Sequence, residues 1–269
     1  MQLFQVDAFT AVPYSGNPAG VCLLTRAAEP GWMQNLALEM NLSETAFVRP
    51  LDGRFEIRYF TPATEVPLCG HATLASAHVL YECGILAQAD QAHFQCAAGK
   101  LSAQSKDNWI AMDFPAFGVT PSTDTKVVAG ILGVQPSAVY QTENGWHMAE
   151  LASTEEVTRV QPDLRRLVES HVQHLLVTGP GSTPEVDFVS RFFAPRAGID
   201  EDPVTGSAHC ILAPFWSAKL GKARMNARQV SARGGVLRVE AQRDRKRVQI
   251  EGQAVTLFRI ELTDHVPPP

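Results

Sequence analysis

Two short stretches of the chain hold residue types suited to moving a proton. Glu201–His209 (EDPVTGSAH) sets two carboxylates, a proline, a glycine, two hydroxyls and a histidine where a loop turns into a helix. Asp202 precedes Pro203, which disfavours the α conformation at Asp202 and lets the helix begin after it. Gly206, Ser207 and Ala208 are small enough for a ligand to approach the backbone, and the free N–H groups of a helix N-terminus are a ready anion site. An ordinary helix start reads the same way, so this stretch alone decides nothing. Glu44, at the end of Asn41–Glu44 (NLSE), stands at a loop-to-strand junction, where an isolated carboxylate is usually a solvated edge residue. Here Asn41, Ser43 and Thr45 supply hydrogen-bonding groups, while Ala46, Phe47 and Val48 supply an apolar wall. Such surroundings can raise a carboxylate pKa toward the range useful for proton transfer.

The elements that must position these groups occur twice. Arg58–Pro62 (RYFTP) is echoed by Arg191–Pro195 (RFFAP), and each is followed by a glycine that opens a small-residue run, Gly70-His71-Ala72 and Gly206-Ser207-Ala208. The two glycines are 206 − 70 = 136 residues apart, and Gly99 with Gly235 and Leu101 with Leu237 keep that offset. A duplicated unit of strand, loop, helix and strands follows, and two medium domains fit the length better than one.

Hydrophobic content of 45% against 19% charged residues provides ample core for a globular chain. The net charge of −5 comes without a basic stripe, since Arg243–Arg247 (RDRKR) is interrupted by Asp244 and falls where a hairpin turn is expected. A nucleic-acid partner is therefore not expected. Met1–Thr10 lacks a basic leader and carries Asp7 within its apolar segment, and no apolar run reaches membrane length, so neither a signal peptide nor a membrane span is expected. Five cysteines, odd in number and without metal-ligand spacing, point to a reducing, cytoplasmic compartment.

In chain order, Leu3–Phe9 alternates as a strand, and Asn17–Gly20 (NPAG) is expected to turn before the apolar run Val21–Leu24, giving an opening hairpin. Pro30 starts a helical pattern with Trp32, Leu36, Ala37 and Met40 on one face. Thr45–Val48 and Phe55–Phe60 read as strands. The run from Ala72 to Tyr81, closed by Gly84, is small and apolar all round, so a central helix wrapped by strands is expected, with Ser207–Leu220, closed by Gly221, in the same role in the second half. Strands follow each helix, at 92–96 with 109–112 and at 236–241 with 248–251, and Asp113–Thr120 is the expected crossover between halves. The domain expectation is 1–117, with 255–269 able to complete it, and 118–254.

Other chemistries find little support. There is no phosphate-binding Walker loop, no HExxH helix and no GxSxG elbow. His171 and His174 have a spacing that can hold a metal, but they precede the expected buried strand Leu175–Thr178 and are expected to have no acidic or cysteine partner, and His78, His93 and His147 are expected to be packed or surface side chains. His209 has two open roles, pointing into a site or satisfying its neighbours. No metal is expected.

NLSET at 41–45, RYFTPATEVPLCGHAT at 58–73 and GIDEDPVTGSAH at 198–209 resemble the signature segments of the phenazine-biosynthesis PhzF-like family, within the diaminopimelate-epimerase-like superfamily. The resemblance covers nearly the whole chain. It implies an α/β fold of α+β type, two similar domains each with a mostly antiparallel sheet curled around a central helix, and an active site in the cleft between them. It also implies an isomerase, usually dimeric, that moves a proton on a small carboxylate without cofactor. By this resemblance Glu44 is the acid/base, His71 and Asp202 are its catalytic companions, and Gly70, Gly206 and Ser207 contact the substrate carboxylate. The related racemases place a cysteine at each helix start. Here Cys69 lies beside the first, while the second offers Val204 and Thr205 and no thiol, so a two-cysteine epimerase is not expected. A racemase using Cys69 and a homologue that binds without turnover are the alternatives.

Overall fold

In a computed structural model of the chain, residues 1–242, 244 and 246–262 are described; Arg243 and Arg245 of the basic segment, and 263–269 of the C-terminal one, lie outside them. The chain divides into two compact units, Met1–Asp113 with Glu251–Pro269, and Phe114–Ile250. Among the described residues no helix is long and apolar enough to cross a membrane.

The first unit runs β1 (Gln2–Ala8), β2 (Asn17–Leu23), α1 (Pro30–Met40), β3 (Glu44–Leu51), β4 (Arg54–Phe60), β5 (Glu65–Val66), α2 (Gly70–Glu82), β6 (Gln91–Cys96), β7 (Gly99–Lys106) and β8 (Trp109–Pro115). β1 pairs antiparallel with β2, and β3 with β4, while helices carry the two parallel crossovers, α1 between β2 and β3 and α2 between β4 and β6. Pro30 starts α1, and Asn41 ends it in the left-handed conformation, its N–H donating to the Ala37 carbonyl. That stop places Ser43 and Glu44 at the head of β3. α1 buries Met33 and Ala37 against Leu3, Cys22, Phe47 and Phe60. α2 is buried on all sides, from His71 through Ala77 and from Val79 to Tyr81, as its apolar circumference requires.

The second unit runs β9 (Val119–Pro121), α3 (Thr125–Leu132), β10 (Ala138–Thr142), β11 (His147–Glu150), α4 (Thr154–Arg159), α5 (Leu164–Glu169), β12 (Leu175–Pro180), β13 (Phe188–Phe193), a 3-10 turn at Gly206–Ala208, α6 (His209–Leu220), β14 (Arg224–Gln229), β15 (Gly235–Gln242) and β16 (Arg247–Gly252). β17 (Ala254–Ile260) returns to the first unit and pairs antiparallel with β1. The same wiring recurs: α4 and α5 join the parallel strands β11 and β12, and α6 joins β13 and β14. Phe55 opposite Phe94 becomes Phe188 opposite Ala227, both members shifted by 188 − 55 = 227 − 94 = 133. The side chains of α3, α4 and α5 bury Val128, Ile131, Val157 and Leu167 against Val177 and Phe193.

Three expectations change. Asn17–Gly20 is not a turn but the first half of β2, with Pro18 opposite Asp7 on β1 ahead of the point where pairing with β3 begins. Proline is tolerated there because its missing N–H falls at the strand's end. Gly20 serves close approach, since a Cβ there would stand 2.7 Å from Thr45 Oγ1 on β3. β7, absent from the sequence reading, forms the middle of a meander with β6 and β8; its half-exposed polar side chains gave no apolar signal. The second central helix begins at His209, preceded by the 3-10 turn, rather than at Ser207.

Candidate functional site

In the first unit the sequence candidates converge on the start of α2. Cys69 is its N-cap in extended conformation, so the chain enters the helix from the β5 loop with Gly70 at the first helical position. The Thr73 hydroxyl donates back to the Cys69 carbonyl at 2.6 Å and meets the buried Tyr59 hydroxyl of β4 at 2.6 Å, fixing the helix start to the sheet. His71, buried, presents Nε2 at 3.3 Å from Glu44 Oε2. Its Nδ1 lies 3.2 Å from Asn17 Nδ2 and 3.4 Å from Cys69 Sγ. Asn17 is fully buried at the start of β2, and its Oδ1 accepts from the Ser43 hydroxyl at 3.5 Å, which turns the amide nitrogen toward His71.

This arrangement assigns a tautomer. Both neighbours of Nδ1 carry hydrogens to donate, so Nδ1 accepts and Nε2 bears the proton facing the Glu44 carboxylate. Burial holds the His71 pKa down to about 3, so the ring is neutral at physiological pH. A neutral ring places no buried positive charge beside the Glu44 carboxylate. Asn17 is the member of this group that sequence reasoning missed; its NPAG context read as turn punctuation.

In the second unit Asp202, Gly206 and Ser207 lie on one loop-to-helix segment. The Asp202 N–H donates to the Phe192 carbonyl at 3.0 Å and its Oδ2 accepts from the Thr205 hydroxyl at 2.6 Å. Gln229, fully buried on β14, braces the segment: its Nε2 donates to the Asp202 carbonyl at 2.7 Å and its Oε1 accepts from the Thr205 N–H at 2.8 Å. Gln229 carried no sequence signal. Gly206 is buried and Ser207 exposed, both in the 3-10 turn. His209 is fully buried; its Nδ1 donates to the Thr205 carbonyl at 2.9 Å, and burial brings its pKa to about 4. It satisfies its own helix start.

The duplication is visible in these bonds. Thr73 and His209, 209 − 73 = 136 residues apart, each bond the carbonyl four residues back, on Cys69 and Thr205. Arg58 makes a two-pronged contact to Glu65 and lies 5.3 Å over the Phe60 ring, while Arg191 does the same with Glu201 and lies 4.9 Å over Phe193. The offset of 191 − 58 = 133 becomes 136 because the second loop is three residues longer, 201 − 191 = 10 against 65 − 58 = 7.

The expectation that His171 lacks an acidic partner is overturned. Its Nε2 lies 3.1 Å from Asp124 Oδ1, and His147 Nε2 lies 2.9 Å from Asp124 Oδ2. Asp124 comes from 171 − 124 = 47 residues earlier, beyond the reach of local spacing. His174 turns elsewhere and stacks with Trp146 and Phe192 at 5.8 and 5.9 Å between ring centroids.

A model of the phenazine biosynthesis-like protein family (PhzC-PhzF) matches residues 6–259. An uncharacterized isomerase of Halalkalibacterium halodurans is 42% identical over 97% of each chain. The crystal structure of a PhzF-family phenazine biosynthesis protein of Enterococcus faecalis superposes with a TM-score of 0.92 at 36% identity, covering 97% of this chain and 98% of that one. A probable proline racemase of Agrobacterium radiobacter, solved with carbonate, shares the fold alone, with a TM-score of 0.64 at 12% identity over 98% of this chain and 93% of its own. The duplicated fold, the segment that joins Glu44 to His71 and the match over almost the full length agree: the chain is an isomerase and belongs to the phenazine biosynthesis-like PhzC-PhzF family.

Proposed function

We propose that the chain moves a proton between carbon atoms of a small carboxylate without a cofactor, with Glu44 as the general acid/base. The observation that carries this reading is the His71 Nε2 facing Glu44 Oε2 at 3.3 Å in a mostly buried setting. Backbone N–H groups at Gly70, Gly206 and Ser207 are assigned to the substrate carboxylate. Charge-assisted hydrogen bonds of this kind contribute about 1.5–3 kcal/mol each. They also favour negative charge delocalised into the carboxylate as the C–H is broken. Glu44 takes the proton and returns it at another carbon, His71 keeps the carboxylate aimed, and Asp202 shares the handling of substrate protons. A positioned carboxylate of this kind supplies about 10²–10⁴ in rate.

The test begins with a library of small acids in D₂O, screened for deuterium appearing on carbon. With an accepted substrate, Glu44→Gln binds but loses at least about a hundredfold in kcat. A variant that binds and turns over fully sinks the assignment.

A second reading, an amino-acid racemase using Cys69, is favoured by the 3.4 Å approach of its Sγ to His71 Nδ1. The counterpart of Cys69 at the 136-residue offset is Thr205, so a thiol pair is not available. Substrate-protected inactivation by iodoacetamide, together with a dead Cys69→Ser variant, is the outcome that favours this reading over the first. Cytoplasmic work as a homodimer completes the proposal, and light scattering of the purified chain tests the dimer.

A further inference from the structure

Within the second unit, three segments distant in sequence bring two imidazoles and one carboxylate together, outside the group built on Glu44 and His71. Asp124 precedes α3, His147 opens β11, and His171 lies between α5 and β12. Their donor atoms all fall within 4.8 Å of one another. One carboxylate oxygen faces each ring, Oδ2 toward His147 at 2.9 Å and Oδ1 toward His171 at 3.1 Å, and the rings stand edge to face with centroids 5.7 Å apart.

Asp124 occupies the N-cap position of α3, where aspartate ordinarily accepts a hydrogen bond from its own helix. Its side chain makes no such cap bond and is turned to the two imidazoles instead. The Ser122 hydroxyl also donates to Asp124 Oδ2, at 3.1 Å. His147 is 4% exposed, and its Nδ1 has no hydrogen-bond partner. That nitrogen is unpaired in either tautomer, so moving the ring proton from Nε2 to Nδ1 sacrifices no bond there and frees the Nε2 lone pair. His171 is 58% exposed, which leaves the cluster open to solvent for entry of an ion and for water ligands.

We propose that Asp124, His147 and His171 bind a divalent first-row transition cation of the zinc class, through His147 Nε2, His171 Nε2 and an Asp124 oxygen. Two imidazole nitrogens with one carboxylate oxygen suit zinc, cobalt or nickel, whereas calcium and magnesium prefer oxygen alone. Two neutral rings and one carboxylate leave a bound dication with net positive charge, and water completes its coordination. The ion ties the N-terminus of α3, β11 and the segment before β12 to one point. Its role is to fasten this unit.

The test is calorimetric titration of the full chain, stripped with chelator, with ZnCl₂, and optical titration with CoCl₂. One equivalent of zinc binds, and cobalt develops visible d–d bands. His171→Ala, a change at an exposed side chain that the fold tolerates, and Asp124→Asn each weaken zinc at least a hundredfold. Cys69→Ser, which alters the other three-donor group of Glu44, Cys69 and His71, leaves the equivalent intact. Absence of binding, or binding that survives His171→Ala and vanishes in Cys69→Ser, overturns the proposal.

Discussion

His71 and Glu44 meet through one nitrogen of the ring because the other is already engaged: Nε2 stands 3.3 Å from Glu44 Oε2 while Nδ1 faces Asn17 Nδ2 at 3.2 Å. Asn17 is therefore the residue that sets the tautomer. Asn17→Asp keeps the size but replaces the donor with an acceptor, so Nδ1 must carry the proton and Nε2 turns a lone pair toward the carboxylate. The expected outcome is a kcat lower by about 10²-fold, comparable to loss of a general acid/base's orientation, with KM changed much less. Nitrogen NMR of the ring checks the cause, since the protonated nitrogen exchanges from Nε2 to Nδ1. An unchanged tautomer with lost activity assigns the effect to something else.

Two of the buried imidazoles, His71 and His209, make stability depend on pH. In the unfolded chain both titrate near the ordinary 6.5, whereas burial lowers His71 to about 3 and His209 to about 4 in the folded protein. Above about 6.5 neither state takes up these protons and stability does not respond to them. Between about 6.5 and about 3 the unfolded chain binds protons that the native one refuses, so stability falls as the pH is lowered through that window, by at most about 1.4 kcal/mol per unit for each ring. Urea midpoints measured from pH 7.5 to 4.5 show the slope, and His209→Gln removes its share. A flat profile contradicts the neutral, buried state of both rings.

The paired arginines differ in what they are worth. Arg191 is 8% exposed, bonds Glu201 with both prongs and gives Nη1 to the Val160 carbonyl at 2.5 Å, whereas Arg58 is 29% exposed and bonds Glu65 alone by its side chain. Arg191→Lys leaves a half-buried carboxylate and a buried carbonyl without their planar fork and costs about 2–4 kcal/mol. Arg58→Lys, screened by solvent, costs about 1 kcal/mol or less. Denaturant titration of the two variants in parallel measures the difference, and equal losses refute it.

The parts of the fold that the sequence announces are those governed by local chemistry. Pro30 and Asn41 bound α1 through backbone preferences, and α2 is readable because a helix of small and apolar residues has no face to offer water. The repeat is legible because the arginine, aromatic and proline pattern of 58–62 returns at 191–195 and a glycine opens a small-residue run after each. What failed was decided across strands or at long range. Pro18 and Gly20 look like turn residues, yet one marks where a ladder begins and the other makes room for Thr45. Of the candidate site, Glu44 and His71 stand 3.3 Å apart, but Asn17 and Gln229 act through long-range hydrogen bonds that no spacing encodes. Asp124, His147 and His171 meet for the same reason.

The pairing of β1 with β17 has a consequence for how the molecule is made. The first unit cannot close its sheet until the strand ending at Ile260 is available, whereas the second unit, Phe114–Ile250, is continuous. As the ribosome delivers the chain from its N-terminus, the later-made half is the first able to fold to completion. The earlier-made half waits with the edge of β1 uncovered, where a stray strand can pair with it. A nascent chain stopped short of β17 should therefore be captured by chaperones through its oldest segment rather than its newest.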